Sequence, residues 1–100
     1  MKNNGYNPSI LDTEQGIDYI LKVEVGDTAR HEIYYGGKNR LVSQTQGFWV
    51  NVCPQIHAEL HTAGELDKEL KKECQRKFEE THTREEFMEM IGRSYLWLMM

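Results

Sequence analysis

Hydrophobic and polar residues alternate in the first half of the chain and recur at helical spacing in the second. The first sixteen residues mix Asn, Gly, Pro, Asp and Gln and read as an arm without periodicity. Ile17 to Val25 is rich in β-formers, with Tyr19, Leu21, Val23 and Val25 on one side of an extended run. Gly26-Asp27 supplies turn residues, and Ala29 to Tyr35 resumes the strand pattern. The two runs predict a hairpin with His31 on its second strand. Gly36-Gly37 breaks that strand, Lys38 to Gln46 reads as a polar loop, and Phe48 to Val52 is a third extended run ended by Cys53-Pro54.

The period then changes. Pro54 suits the first turn of a helix, so a short helix is predicted over Gln55 to His61. Thr62 with Glu65 and Thr83 with Glu86 each have capping-box spacing. Leu66, Leu70, Cys74 and Phe78 form an i, i+4 stripe among charged residues, which predicts an amphipathic helix of about four turns. Phe87, Met90 and Ile91 give the apolar face of a last helix, and Gly92 is positioned to stop it. Cys74 reads as a core residue and His82 as a solvent-facing one. The tail Tyr95 to Met100 is too apolar to hang free, so it packs on the core or makes an interface with a partner or a second copy. These elements predict one α+β domain: an arm over 1–16, a core over 17–61 and a helical extension over 62–100.

Composition removes several function classes. No apolar run approaches the roughly 20 residues needed to span a bilayer, and the first eight residues lack the apolar stretch of a secretory signal. Two cysteines allow one bridge at most, so a reduced, cytoplasmic setting is expected. Net charge is −4, which opposes a broad, high-affinity nucleic-acid surface. Its distribution is uneven: residues 1–29 and 58–100 each carry −3, whereas 30–46, with Arg30, Lys38 and Arg40 against Glu32, carry +2.

That basic segment coincides with the residues that carry chemistry. Phosphodiester hydrolysis needs a nucleophilic water, charge on the phosphorus oxygens and help for the departing oxygen. His31 suits the role of base, because a neutral imidazole titrates near working pH. His57 and His61 lie one helical turn apart and can share a divalent ion with open positions for water and phosphate. Arg30, Lys38 and Arg40 can hold a phosphate backbone.

At these residues the chain resembles the HNH (ββα-metal) endonuclease superfamily, and more closely a group of small HNH-like proteins of phages and prophages. The resemblance runs from Ser9-Ile10-Leu11 through Arg30-His31-Glu32-Ile33, Gly36-Gly37-Lys38-Asn39-Arg40 and Trp49 to Pro54. It continues in Leu66 to Lys71, Phe78-Glu79-Glu80, Thr83 to Phe87 and Gly92 to Leu96. It implies a ββα-metal core with an N-terminal hairpin and a C-terminal extension of two helices. His31 is then the general base, Asn39 the central Asn (with Asn51 as its rival), and His57 and His61 the ligands of one divalent ion, Mg, Mn, Ni or Zn. Arg30 departs from the pattern, since many HNH sites place a metal-ligating Asp or His there. The group's structural zinc positions correspond to Asp18, Leu21, Cys53 and Ile56. Only Cys53 is a good ligand, so no structural zinc is expected and an apolar contact of Leu21 with Ile56 is expected instead. The implied function is a metal-dependent DNA endonuclease or nickase in the cytoplasm of a bacterial host, holding DNA weakly. The alternative is a catalytically inactive HNH fold that acts as an inhibitor or assembly factor through protein contacts.

Overall fold

The structure, a computed structural model, describes residues 6–96. It is α+β, with two small antiparallel sheets and four helices. Strand β1 (Ile17–Asp18) pairs with β2 (Val23–Glu24), and β3 (Ala29–Glu32) pairs with β4 (Trp49–Val52). Helix α1 (Asn39–Gln46) joins β3 to β4, and α2 (Pro54–Leu60), α3 (Glu65–Phe78) and α4 (Arg84–Ile91) follow.

The first extended run does not form one strand paired with the second. It folds back on itself because Asp18, fully buried, accepts backbone N–H bonds from Ile20 (2.9 Å) and Leu21 (2.7 Å) and closes a turn. Of the four residues expected on one side of that run, Leu21, Val23 and Val25 are exposed, and Tyr19 alone is buried. Strand β3 instead takes β4 as partner in the register Arg30↔Asn51, His31↔Val50. The ladder extends through the Ile33 N–H bond to Phe48 O (2.9 Å). This pairing gives Ile33, Val50 and Val52 a shared buried face, and side-chain alternation puts His31 on it.

The expected loop over Lys38 to Gln46 is helix α1. Its anchor is polar: Ser43 is fully buried, donates to Tyr34 O (2.6 Å) and accepts from Tyr34 N (3.0 Å). Leu41, the obvious apolar residue of the segment, is exposed. Gly47 ends α1 at φ 78°, and a Cβ there would lie 2.1 Å from Pro8 O. The arm is therefore strapped over α1 and β4, with Ile10 N bonded to Gly47 O (2.9 Å) and Trp49 Nε1 to Asn7 O (2.7 Å).

The helical half follows its pattern closely. Pro54 opens α2, and Leu70, Cys74 and Phe78 of the α3 stripe are buried while Leu66 is partly so. Thr83 and Glu86 form the capping box, Phe87 and Ile91 are buried, and Gly92 ends α4. The first capping box is absent: α3 is capped by Gly64 without a side-chain bond, and Thr62 Oγ1 donates to Glu59 O (2.7 Å). His82 is exposed and stacks on Phe78 with ring centroids 4.2 Å apart. Buried Gln75 fixes the segment after α4, donating to Ser94 Oγ (3.0 Å) and accepting from Tyr95 N (2.7 Å). Tyr95 and Leu96 are partly buried; the rest of the apolar tail, Trp97 to Met100, lies outside the described residues.

Asp18 also fastens the hairpin to the start of α2, since its Oδ2 accepts from Cys53 N (2.7 Å). Burial would raise its pKa, but these amide bonds outweigh it and hold the carboxyl below its ordinary value. Leu21 is 50% exposed, so a carboxylate with three backbone donors, rather than the expected apolar contact, secures this corner.

Candidate metal centre

His31, His57 and His61 converge. Each offers one ring nitrogen, and these atoms lie within 4.8 Å of one another. The ring centroids of His31 are 5.2 Å from His57 and 5.1 Å from His61, and the His57 and His61 rings, tilted 50° to each other, bring their Nε2 atoms 3.3 Å apart. The causes are local. Alternation on β3 turns His31 inward, while one helical turn separates His57 from His61, the residue that ends α2.

Their surroundings differ. His31 is fully buried, His57 partly buried and His61 exposed, so the group is closed on the sheet side and open to solvent on the other. Among the described residues, neither ring nitrogen of His31 has a hydrogen-bond partner. Desolvation, followed by repulsion from His57, His61 and Lys71, pushes the His31 pKa down to about 3. Burial and then His61 lower that of His57 as well, against an opposing pull from Glu32. The His31 and His57 imidazoles are thereby held neutral, the state that binds a metal.

The donor set fits a divalent ion. Three imidazole nitrogens with one open side is the arrangement of a catalytic rather than a closed structural site. Nitrogen donors suit zinc, nickel or copper, whereas magnesium prefers oxygen and retains its waters.

The other residues expected at the site are placed elsewhere. Arg30 lies on the opposite face of the sheet from His31, over the rings of Tyr6 (4.5 Å) and Trp49 (4.6 Å). Arg40 is 3.9 Å from Glu32, whose carboxylate also accepts the Tyr6 hydroxyl. Burial, then that carboxylate, pushes the Tyr6 pKa up to about 12. Lys38 is exposed at the start of α1. Asn39 donates to Ile91 O (3.1 Å), tying α1 to the end of α4, and does not orient His31. Asn51, the rival, pairs with Arg30 and shares its face.

Three residues near the histidines escaped sequence reasoning. The Tyr35 ring is 5.0 Å from His61, and Lys71 Nζ lies 4.4 Å over Tyr35. Asp67 holds Lys71 at 3.0 Å. Burial would lower the Lys71 pKa, yet its bond to Asp67 and that carboxylate's charge raise it, so the cation persists. The sequence signal was faint: Lys71 adjoins the Leu70/Cys74 stripe and has an acid four residues earlier, a pattern ordinarily found on solvated helix faces. Comparison of the chain with protein-family models, curated proteins and solved structures returned no match.

Proposed function

We propose that the protein is a metal-dependent phosphodiesterase of the HNH type that nicks or cleaves DNA, with β3, β4 and α2 as its ββα-metal core. The observation that carries this reading is the buried His31 imidazole, directed at His57 and His61 and without a hydrogen-bond partner at either nitrogen among the described residues. In this reading His31 is the third ligand rather than a free base, because a base needs access to water and His31 has none. A divalent ion bound there supplies positive charge to the phosphorus oxygens and acidifies a water. His57 and His61 present the open side to substrate. Lys71, held cationic by Asp67, supplies further charge beside the site.

The test has two parts. Cobalt or nickel titration should give ligand-field absorption that His31→Ala, His57→Ala and His61→Ala each weaken, and nicking of supercoiled plasmid by the loaded protein should be lost with it. A second reading, a metal-binding HNH fold acting through protein contacts, is favoured by the engagement of Arg30, Arg40 and Asn39 away from the histidines. Full metal binding without cleavage of any nucleic acid would select it.

A further inference from the structure

A cleft of about 760 Å³ opens between α3, α4 and residues 93–96, beyond Lys71 from the histidines. Its size is that of a small-ligand pocket, about 300–1,000 Å³. Its charge is out of keeping with the acidic body: Lys68, Lys71, Lys72, Arg84 and Arg93 line it, against Asp67 alone. Acids outside the cleft hold some of these cations, with Glu79 on Arg84 (3.0 Å) and Glu69 on Lys72 (3.3 Å). Lys68 reaches Glu65 only at 4.0 Å, and among the described residues no carboxylate pairs with Arg93.

The remaining wall has a different chemistry. The Arg93 guanidinium lies 4.4 Å from the centre of the Tyr95 ring, and Met88 and Leu96 add apolar surface. Asp67 is 98% buried at this wall, and among the described residues its Oδ1 has no hydrogen-bond partner. A ligand that satisfies all three features carries an anion, a planar ring and a hydrogen-bond donor. We propose that this cleft binds a nucleoside monophosphate unit. The phosphate sits between Lys68 and Arg93, the ring extends the Arg93–Tyr95 stack, and an N–H or O–H of the ligand donates toward Asp67. The same unit can come from a free nucleotide or from the phosphorylated end of a strand.

This inference does not depend on the metal centre, so it is tested with the full chain in EDTA. Calorimetric titration with AMP should show saturable binding. Adenosine and inorganic phosphate should each bind at least tenfold more weakly. The double substitution Lys68→Glu/Arg93→Glu, at two exposed positions, should lower AMP affinity at least tenfold while leaving the thermal transition in place. Tyr95→Leu should lower it several-fold, and His31→Ala should leave it unchanged. A 5′-phosphorylated oligothymidylate run alongside, with its unphosphorylated counterpart, identifies the source: preference for the phosphorylated strand over AMP assigns the strand end. No AMP binding, equal binding of phosphate alone, or indifference to the double charge reversal would overturn the proposal. Metal titration of the same double variant should remain normal, which separates failure here from failure of the metal centre.

Discussion

His31 makes the metal-free protein acid-sensitive by an amount that follows from its burial. The folded imidazole has a pKa of about 3, against 6.5 in an accessible histidine. At pH 7 both states are largely neutral, and the difference has little effect. Below pH 6.5 the unfolded chain takes up a proton that the folded one refuses, so stability is complete above that pH and falls steadily toward pH 3. Each pH unit in that window is about 1.4 kcal/mol, so lowering the pH from 7 to 5 removes about 2 kcal/mol through His31 alone. His57, also lowered, contributes in the same direction and remains in a His31 variant. Urea unfolding in EDTA at the two pH values, on the wild-type chain and His31→Leu, isolates the term. The wild type should lose about 2 kcal/mol more than the variant between pH 7 and pH 5. Equal acid sensitivity would mean that His31 is solvated or hydrogen-bonded, and the argument for its role as a buried ligand would fail.

Three other substitutions separate structure from site. Asn39→Ala should cost about 1 kcal/mol by removing its bond to Ile91 O, with no change in nickel affinity measured by titration. Asp18→Ala should cost about 3 kcal/mol in urea unfolding, because three backbone donors lose a charged acceptor at once; a loss under 1 kcal/mol would assign the corner to other contacts. Thr83→Ala should cost about 1 kcal/mol through its capping box, seen as a lower thermal midpoint with cobalt absorption unchanged.

The helical half was legible because its information is local. The α3 stripe, the Thr83 capping box and the Gly92 stop each lie within a turn or two of the positions they govern. The pairing of β3 was not legible, because it depends on a strand some twenty residues away and on Asp18 closing the first run into its own turn. Helix α1 was hidden by composition: its buried anchor is Ser43 and its leucine faces water. Charge by segment also misled. The positive segment 30–46 supplies Arg30 and Arg40 to the face opposite His31, while the cationic cleft draws on segment 58–100, whose net charge is −3. A helix sorts its charges by face, so Lys68, Lys71 and Lys72 share one side of α3 and its acids largely occupy others. The three histidines were recognised, but their division into one base and two ligands was drawn from sequence order. Only the sheet face that His31 occupies brings its ring to His57 and His61, so that all three could hold one ion.

That sheet face bears on why position 31 is a histidine at all. Its neighbours there are Ile33, Val50 and Val52, all fully buried, and an aliphatic side chain would suit such surroundings. An imidazole without a partner in such a place costs about 1–3 kcal/mol in unmet hydrogen bonding. A bound ion reverses that sign, because a desolvated neutral nitrogen is a ready donor and binding to the folded state alone adds to stability. The scaffold therefore argues for metal under both functional readings, and the choice between them turns on charge near the ion. Arg30 and Arg40 cannot provide it from the far side of the sheet. Lys71 can: it is 14% exposed, lies over Tyr35 beside His61, and is kept cationic by Asp67. A cation held that firmly next to a candidate metal site suits an anionic transition state, and on that ground we propose hydrolysis rather than binding alone.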